Sequence, residues 1–77
     1  MMSMYYKTLE KVFNNYAELI QSYTEIDNKI KEFEAFINEC RGMVHIIIDL
    51  GISNDDLIRF QNEIFILRKE LFKLLYL

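Results

Sequence analysis

"QSYTEIDNK", residues 21–29, decides whether the first part of this chain is one helix or two. On both sides of it apolar residues recur at alternating spacings of three and four: Leu9, Val12, Tyr16, Leu19, Tyr23, Ile26, Ile30, Phe33, Ile37, Cys40, Val44 and Ile47. This is a heptad seam, with Leu9, Tyr16, Tyr23, Ile30, Ile37 and Val44 at a and the others at d, and it keeps phase through the stretch. A strict seven-residue repeat favours coiled-coil or bundle geometry, because a 3.6-residue helix in a globular protein drifts off it. The stretch contains neither Gly nor Pro, which argues for continuity. Ser22-x-x-Glu25 has capping-box spacing, which would permit a break. The reading favours one long helix over about residues 3–50, with a break near Ser22–Asn28 as the alternative.

The next interruption is unambiguous. In "LGISNDDL", residues 50–57, Gly51 stands one place past the last helical residue, where a left-handed conformation costs glycine little. Ile52 can pack back on Ile47, Ser53 is a good N-cap, and Ile52 with Leu57 can form a hydrophobic staple. Asp56 has the spacing of a weak capping-box partner, and Asp55 and Asp56 suit the positive end of a new helix. The seam then resumes through Leu57, Phe60, Ile64, Leu67, Leu71 and Leu74, again at three and four. The fold class is therefore all-α. The expected architecture is an antiparallel hairpin with coiled-coil-like heptads: a helix over about 3–50, a turn at 51–53 and a helix over about 54–77.

Length turns this hairpin into an expectation about partners. The second helix would be about 36 Å long and an unbroken first helix about 70 Å, so the shorter covers only the back half of the longer. Residues up to about Ile26 would then keep an apolar stripe that only another chain can cover. A dimer or higher oligomer is the first expectation, and a monomeric three-helix bundle is the alternative.

The totals agree with a single small domain that carries much apolar surface. The chain has 77 residues, 52% of them hydrophobic and 27% charged, which excludes a disordered segment. Its net charge of −3 argues against a nucleic-acid binder. The longest stretch free of Asp, Glu, Lys and Arg, Gly42–Ile48, is far too short for a membrane span. "MMSMYYKTLEKV" lacks the basic and apolar regions of a signal peptide, and a lone cysteine suits a reducing cytoplasm.

Few residues suggest chemistry. Glu18, Glu25, Glu32 and Glu39 recur at c, about 10.5 Å apart, too far for a shared metal or an acid–base pair. They read as a solvated face, with Glu25–Lys29 and Asp27–Lys31 as ordinary i,i+4 pairs. His45 and Asp49 have a metal-compatible spacing but no third ligand, so His45 reads as a surface residue. Cys40 at d reads as a small buried hydrophobe. Gly42, inside a helix, marks either a kink or a close approach of another backbone. No self-contained active site is legible, and no cofactor or metal is expected.

The surplus lies on the second helix. Ile58, Phe65 and Phe72 recur every seven residues at b, normally a solvent position, and Ile66, Leu75 and Tyr76 widen the band. An apolar arc that wide belongs to a helix contacted on two sides. Ile58, Phe65, Phe72 and Tyr76 are accordingly the expected partner-binding residues.

"GISNDDLIRFQNEIFIL", residues 51–67, resembles the carboxyl-terminal half of the small aspartyl-phosphate phosphatases that act on the sporulation response regulator. Those are helical hairpins with a Gly-hydrophobic turn, an apolar pair, a Ser-Gln-Glu-Leu-Asp signature and a Leu. Gly51, Ile52, Leu57, Ile58, Phe60, Glu63, Ile64 and Leu67 fall on matching positions. The signature's serine, glutamine and aspartate positions hold Gln61, Asn62 and Phe65. The resemblance thus implies a hairpin that binds a response regulator, without the hallmark carboxylate. The same turn also resembles the helical-hairpin co-chaperones of type III secretion needle subunits. The functional expectation is a small cytoplasmic, non-enzymatic interaction module: a regulator, adaptor or inhibitor that docks a helical apolar face onto a protein partner or a second copy. A phosphatase-like hairpin and a secretion-system co-chaperone or assembly subunit are the alternatives.

Overall fold

The chain turns back at Tyr23–Glu25, so the first helix is two. The computed structural model describes residues 2–77 and contains three helices: α1 (Met2–Ser22), α2 (Ile26–Asp49) and α3 (Asn54–Leu74). Each packs against the other two, in a bundle of about 41 × 16 × 16 Å. The long axis is close to the length of α2 alone, since 24 residues rise about 36 Å. The single helix expected over about 3–50 is thereby corrected, and the three-helix alternative is the one that fits.

The break is made by local bonds that the sequence pattern did not reveal. Ser22 does not cap the new helix; its Oγ donates back to the Leu19 carbonyl at 2.6 Å. Glu25 stands at the N-cap of α2 in extended geometry, with no side-chain bond to the helix it opens. The capping partner is Lys29, which lies on the first turn of α2 and is only 6% exposed. Its Nζ donates to the Ile20 carbonyl at 2.9 Å, and the Tyr23 N–H reaches the same oxygen at 3.4 Å. Carbonyls at a helix end have no partner within the helix, and a cation is favoured there by the helix dipole. The Glu25–Lys29 pair expected on the surface does not form. Among the described residues the sole salt bridge joins Lys73 to Glu70, at 3.2 Å.

Folding back covers the first part of the stripe that seemed to need a second chain, Leu9, Val12 and Tyr16. Leu9 and Ile20 of α1 are buried in one core with Phe36, Cys40 and Ile47 of α2 and with Phe60, Leu71 and Leu75 from the last segment. Phe36 is the hub, with the rings of Phe13 and Tyr16 edge-on to it at 6.2 and 5.9 Å. Tyr6 meets Phe60 in the same way at 5.4 Å. The seam expected on α3 holds: Phe60 and Leu71 are fully buried, and Leu57, Ile64, Leu67 and Leu74 pack against the core. The seam expected across the break does not. Leu19, Tyr23, Ile26 and Ile30 are exposed, while Ile20 and Phe36, outside the a/d positions, are buried.

The second turn is built as its residues dictate. Gly51 adopts φ +75°, and its N–H donates to the Ile48 carbonyl at 3.0 Å. Ser53 Oγ accepts from the Asp56 N–H at 3.3 Å and donates to the Asp56 carboxylate at 3.0 Å, an N-cap bonded in both directions. Replacing Gly51 with valine is expected to destabilise the protein by about 1–2 kcal/mol, since a β-branched residue resists positive φ. An unshifted urea midpoint would contradict it.

Gly42 is a different case. No atom lies within 4 Å of where its Cβ would stand, so no close approach requires it. Alanine there removes backbone freedom from the unfolded chain and strains nothing in the fold. Gly42→Ala should raise stability by about 0.5–1 kcal/mol. For a domain of this size that is a rise of roughly 3–6 °C in Tm, readable in one calorimetric scan.

Candidate docking groove

The surplus apolar line on α3 remains uncovered after the chain has folded back. Ile58, Phe65, Phe72 and Tyr76 are 54%, 54%, 48% and 72% exposed. The core closes without them, because α1 packs on the other flank of α3, where Tyr6, Leu9, Phe13 and Leu67 meet. The open flank faces α2. Phe33 of α2 lies edge-on to Phe72 at 5.8 Å, and Phe72 lies edge-on to Tyr76 at 5.5 Å. Three of the expected residues are thus tied to one neighbourhood: Phe72 touches Tyr76 directly, and Phe65 lines the same depression as Phe72. Ile58 stands further along the same line of the helix.

Two depressions run along the α2/α3 boundary. One, of about 430 Å³, is lined by Phe33, Phe65, Arg68, Lys69, Phe72 and Lys73. The other, of about 220 Å³, has Phe36, Ile37, Cys40, Arg41, Val44, Gln61, Ile64 and Arg68 around it. Arg68 borders both, so the two adjoin at that residue along the α2/α3 groove. Antiparallel neighbouring helices leave such a furrow, and a further helix fills it in larger bundles. Exposed Ile30 and Ile48 fall on the line of α2 that also carries Ile37 and Arg41.

The residues that the sequence reading missed here are the basic ones. Lys69 Nζ sits 4.6 Å from the centroid of the Phe65 ring, a cation–π contact. Its signal was present, since Phe65 and Lys69 are one helical turn apart. Arg41 and Arg68 come from different helices, and no spacing rule brings them together.

The other candidates take ordinary places. Cys40 lies in the core, where burial, aided by the Glu39 carboxylate, pushes its thiol up to about 11. His45 and Asp49 are exposed on α2, and no cluster of three or more metal-ligating side chains occurs among the described residues. One member of the acidic c line has a structural role. Glu39 Oε1 accepts from the Tyr16 hydroxyl at 2.9 Å, tying α2 to α1. Burial first, then this bond and the charges of Glu39 and Glu32, push the Tyr16 hydroxyl up to about 12. The neutral phenol is therefore the form that the fold favours, so its contribution is complete below pH ~10 and fades as pH rises towards 12.

The position of the phosphatase signature's aspartate is Phe65, and the side chains around it in the groove are aromatic or basic. No helix among the described residues is long and apolar enough to cross a membrane. No protein-family model, curated protein or solved structure matches the chain.

Proposed function

We propose that this protein is a non-enzymatic protein–protein interaction module, a small regulator, adaptor or inhibitor that docks through the groove between α2 and α3. One observation carries the reading: the core is complete, yet Ile58, Phe65, Phe72 and Tyr76 stay in water along one line. A large aromatic presents roughly 150–250 Å² when fully open, so these four residues, each about half exposed or more, leave on the order of 500 Å² of largely apolar surface uncovered. That is near the largest patch a monomer usually tolerates, and much of the ~800 Å² that each partner buries in a standard interface. Aromatic residues in a furrow are also the usual anchors of such contacts.

The test separates docking from folding. Tagged protein is used to capture partners from a lysate of its own host, beside the Phe65→Glu variant. Phe65 is about half exposed and lies outside the buried core, so the variant should keep its helicity and lose the captured partner. Burying a carboxylate against an apolar partner surface costs several kcal/mol, enough to abolish a micromolar complex. Equal capture by both proteins would remove the groove from the interface. Collapse of helicity in the variant would make the face internal core.

A further inference from the structure

The charge of the groove says what kind of partner it accepts. Although the protein carries a net charge of −3, no acidic side chain lines either depression of the α2/α3 groove, and the bases Arg41, Arg68, Lys69 and Lys73 do. Three other depressions each include a carboxylate: Glu10 and Glu63 between α1 and α3, Glu18 near the end of α1, and Asp56 at the second turn. Of the four bases only Lys73 is in a salt bridge among the described residues. Arg41, Arg68 and Lys69 are left with their charge facing the groove.

Resting on the docking function above, we infer that the groove takes an acidic amphipathic helix of a partner protein. Its aliphatic side chains lie on Phe33, Phe65 and Phe72, and its carboxylates reach Arg41, Arg68 and Lys69. The furrow between two antiparallel helices has the shape for a helix as a third wall. Lys69, held over the Phe65 ring, places its ammonium at the lip where the flanking acids of such a helix pass. Arg68, between the two depressions, is placed to bind a carboxylate through both arms of its guanidinium. A second copy of this chain fits less well. Two-fold pairing through this groove would meet it with the same basic lining, which has no carboxylate to offer Arg41, Arg68 and Lys69.

The experiment uses the full chain and two synthetic peptides of three heptads, each with Leu at a and d. One has Glu at e and g, the other Lys. Binding is read by fluorescence anisotropy and located by NMR shifts. The acidic peptide should bind with shifts at Phe65, Arg68 and Phe72, and the basic one at least about tenfold more weakly, the difference shrinking at high salt. The double variant Arg68→Glu/Lys69→Glu should reverse the preference, and the neutral pair Arg68→Gln/Lys69→Gln should abolish it while circular dichroism stays unchanged. Equal binding of both peptides overturns the acidic partner but leaves docking intact. So does binding of neither while Phe65-dependent capture persists. Groove shifts that grow with the protein's own concentration would make a second copy the occupant and overturn the inference, and binding to phosphatidylglycerol vesicles but not to the acidic peptide would do the same for a lipid surface. Loss of Phe65-dependent capture alone removes the docking function itself.

Discussion

Phe36→Ala is expected to remove about 3–5 kcal/mol of stability, the range for deleting a fully buried aromatic ring. A 77-residue domain has roughly 4–12 kcal/mol in total, so the variant should sit near or below its folding threshold at 25 °C. Position is what makes the effect large. Phe36 is 0% exposed and receives the edges of Phe13 and Tyr16, so its ring joins α1 to α2 directly. The Tyr16–Glu39 bond lies beside that contact and would loosen with it. A bundle this thin has no second layer to close over the cavity. Urea unfolding followed by circular dichroism measures the loss, with Phe65→Ala as the exposed control. A change below ~1 kcal/mol for Phe36→Ala would mean that α1 and α2 are not held together through this ring.

The importance of Phe36 was hidden by the heptad frame. In that frame Phe36 is a g residue, and only a and d were read as core. The neighbouring positions hold the information that the seam lacks. Before the break the apolar flank is at e, with Phe13 and Ile20, while g holds Thr8, Asn15 and Ser22. After it the buried flank moves to g, with Lys29, Phe36 and Met43, while e holds Asp27, Glu34 and Arg41 and then an exposed Ile48. One continuous helix would show a single flank along its length. The exchange from e to g is the mark of two helices whose buried faces turn in opposite senses, and it falls inside "QSYTEIDNK". The seam kept its phase across the break by coincidence of spacing. The glycine and the cap of the second turn were legible, because Gly51 and Ser53 act through their own backbone and side chain. Short-range chemistry can be read from sequence, whereas the packing choice between folding back and extending is tertiary.

The groove was half legible for the same reason. Ile58, Phe65 and Phe72 lie on one helix, and period alone places them on its uncovered side, with Tyr76 in the turn just past its end. The expected cause was different, however. Exposed apolar surface was anticipated along the front of the first helix, and there Leu9, Val12 and Tyr16 now face the core while Leu19, Tyr23 and Ile26 stay exposed. What is left open is the α2 flank of α3, whose character depends on Phe33, Arg41 and Arg68 arriving from two helices. No single-helix pattern contains that meeting.

Lys29 is the residue on which the folded-back arrangement turns, and reversing its charge should have an effect as large as deleting Phe36. Its stem lies in the core boundary and its ammonium holds the Ile20 carbonyl at the end of α1. Lys29→Glu places a buried carboxylate against carbonyl oxygens at the negative end of a helix dipole, with no cation facing it. Breaking a buried charge contact in this way costs about 3–5 kcal/mol. Lys29→Met separates charge from packing: it keeps the apolar stem and loses only the bond, so about 1–3 kcal/mol is expected. The order wild type, Met, Glu in urea midpoint is the prediction. If methionine equals or exceeds lysine, desolvation of the ammonium offsets its bond, and the turn is set by the core alone. The glutamate variant has a second readout. With the turn unfavourable, α1 and α2 can straighten into the continuous helix that the heptad seam permits, and such a helix buries its front half only against another chain. Light scattering at rising concentration should then show an exchanged dimer for Lys29→Glu and not for Lys29→Met. A glutamate variant as stable as the wild type, with unchanged mass, would mean that the Lys29–Ile20 contact does not direct the fold.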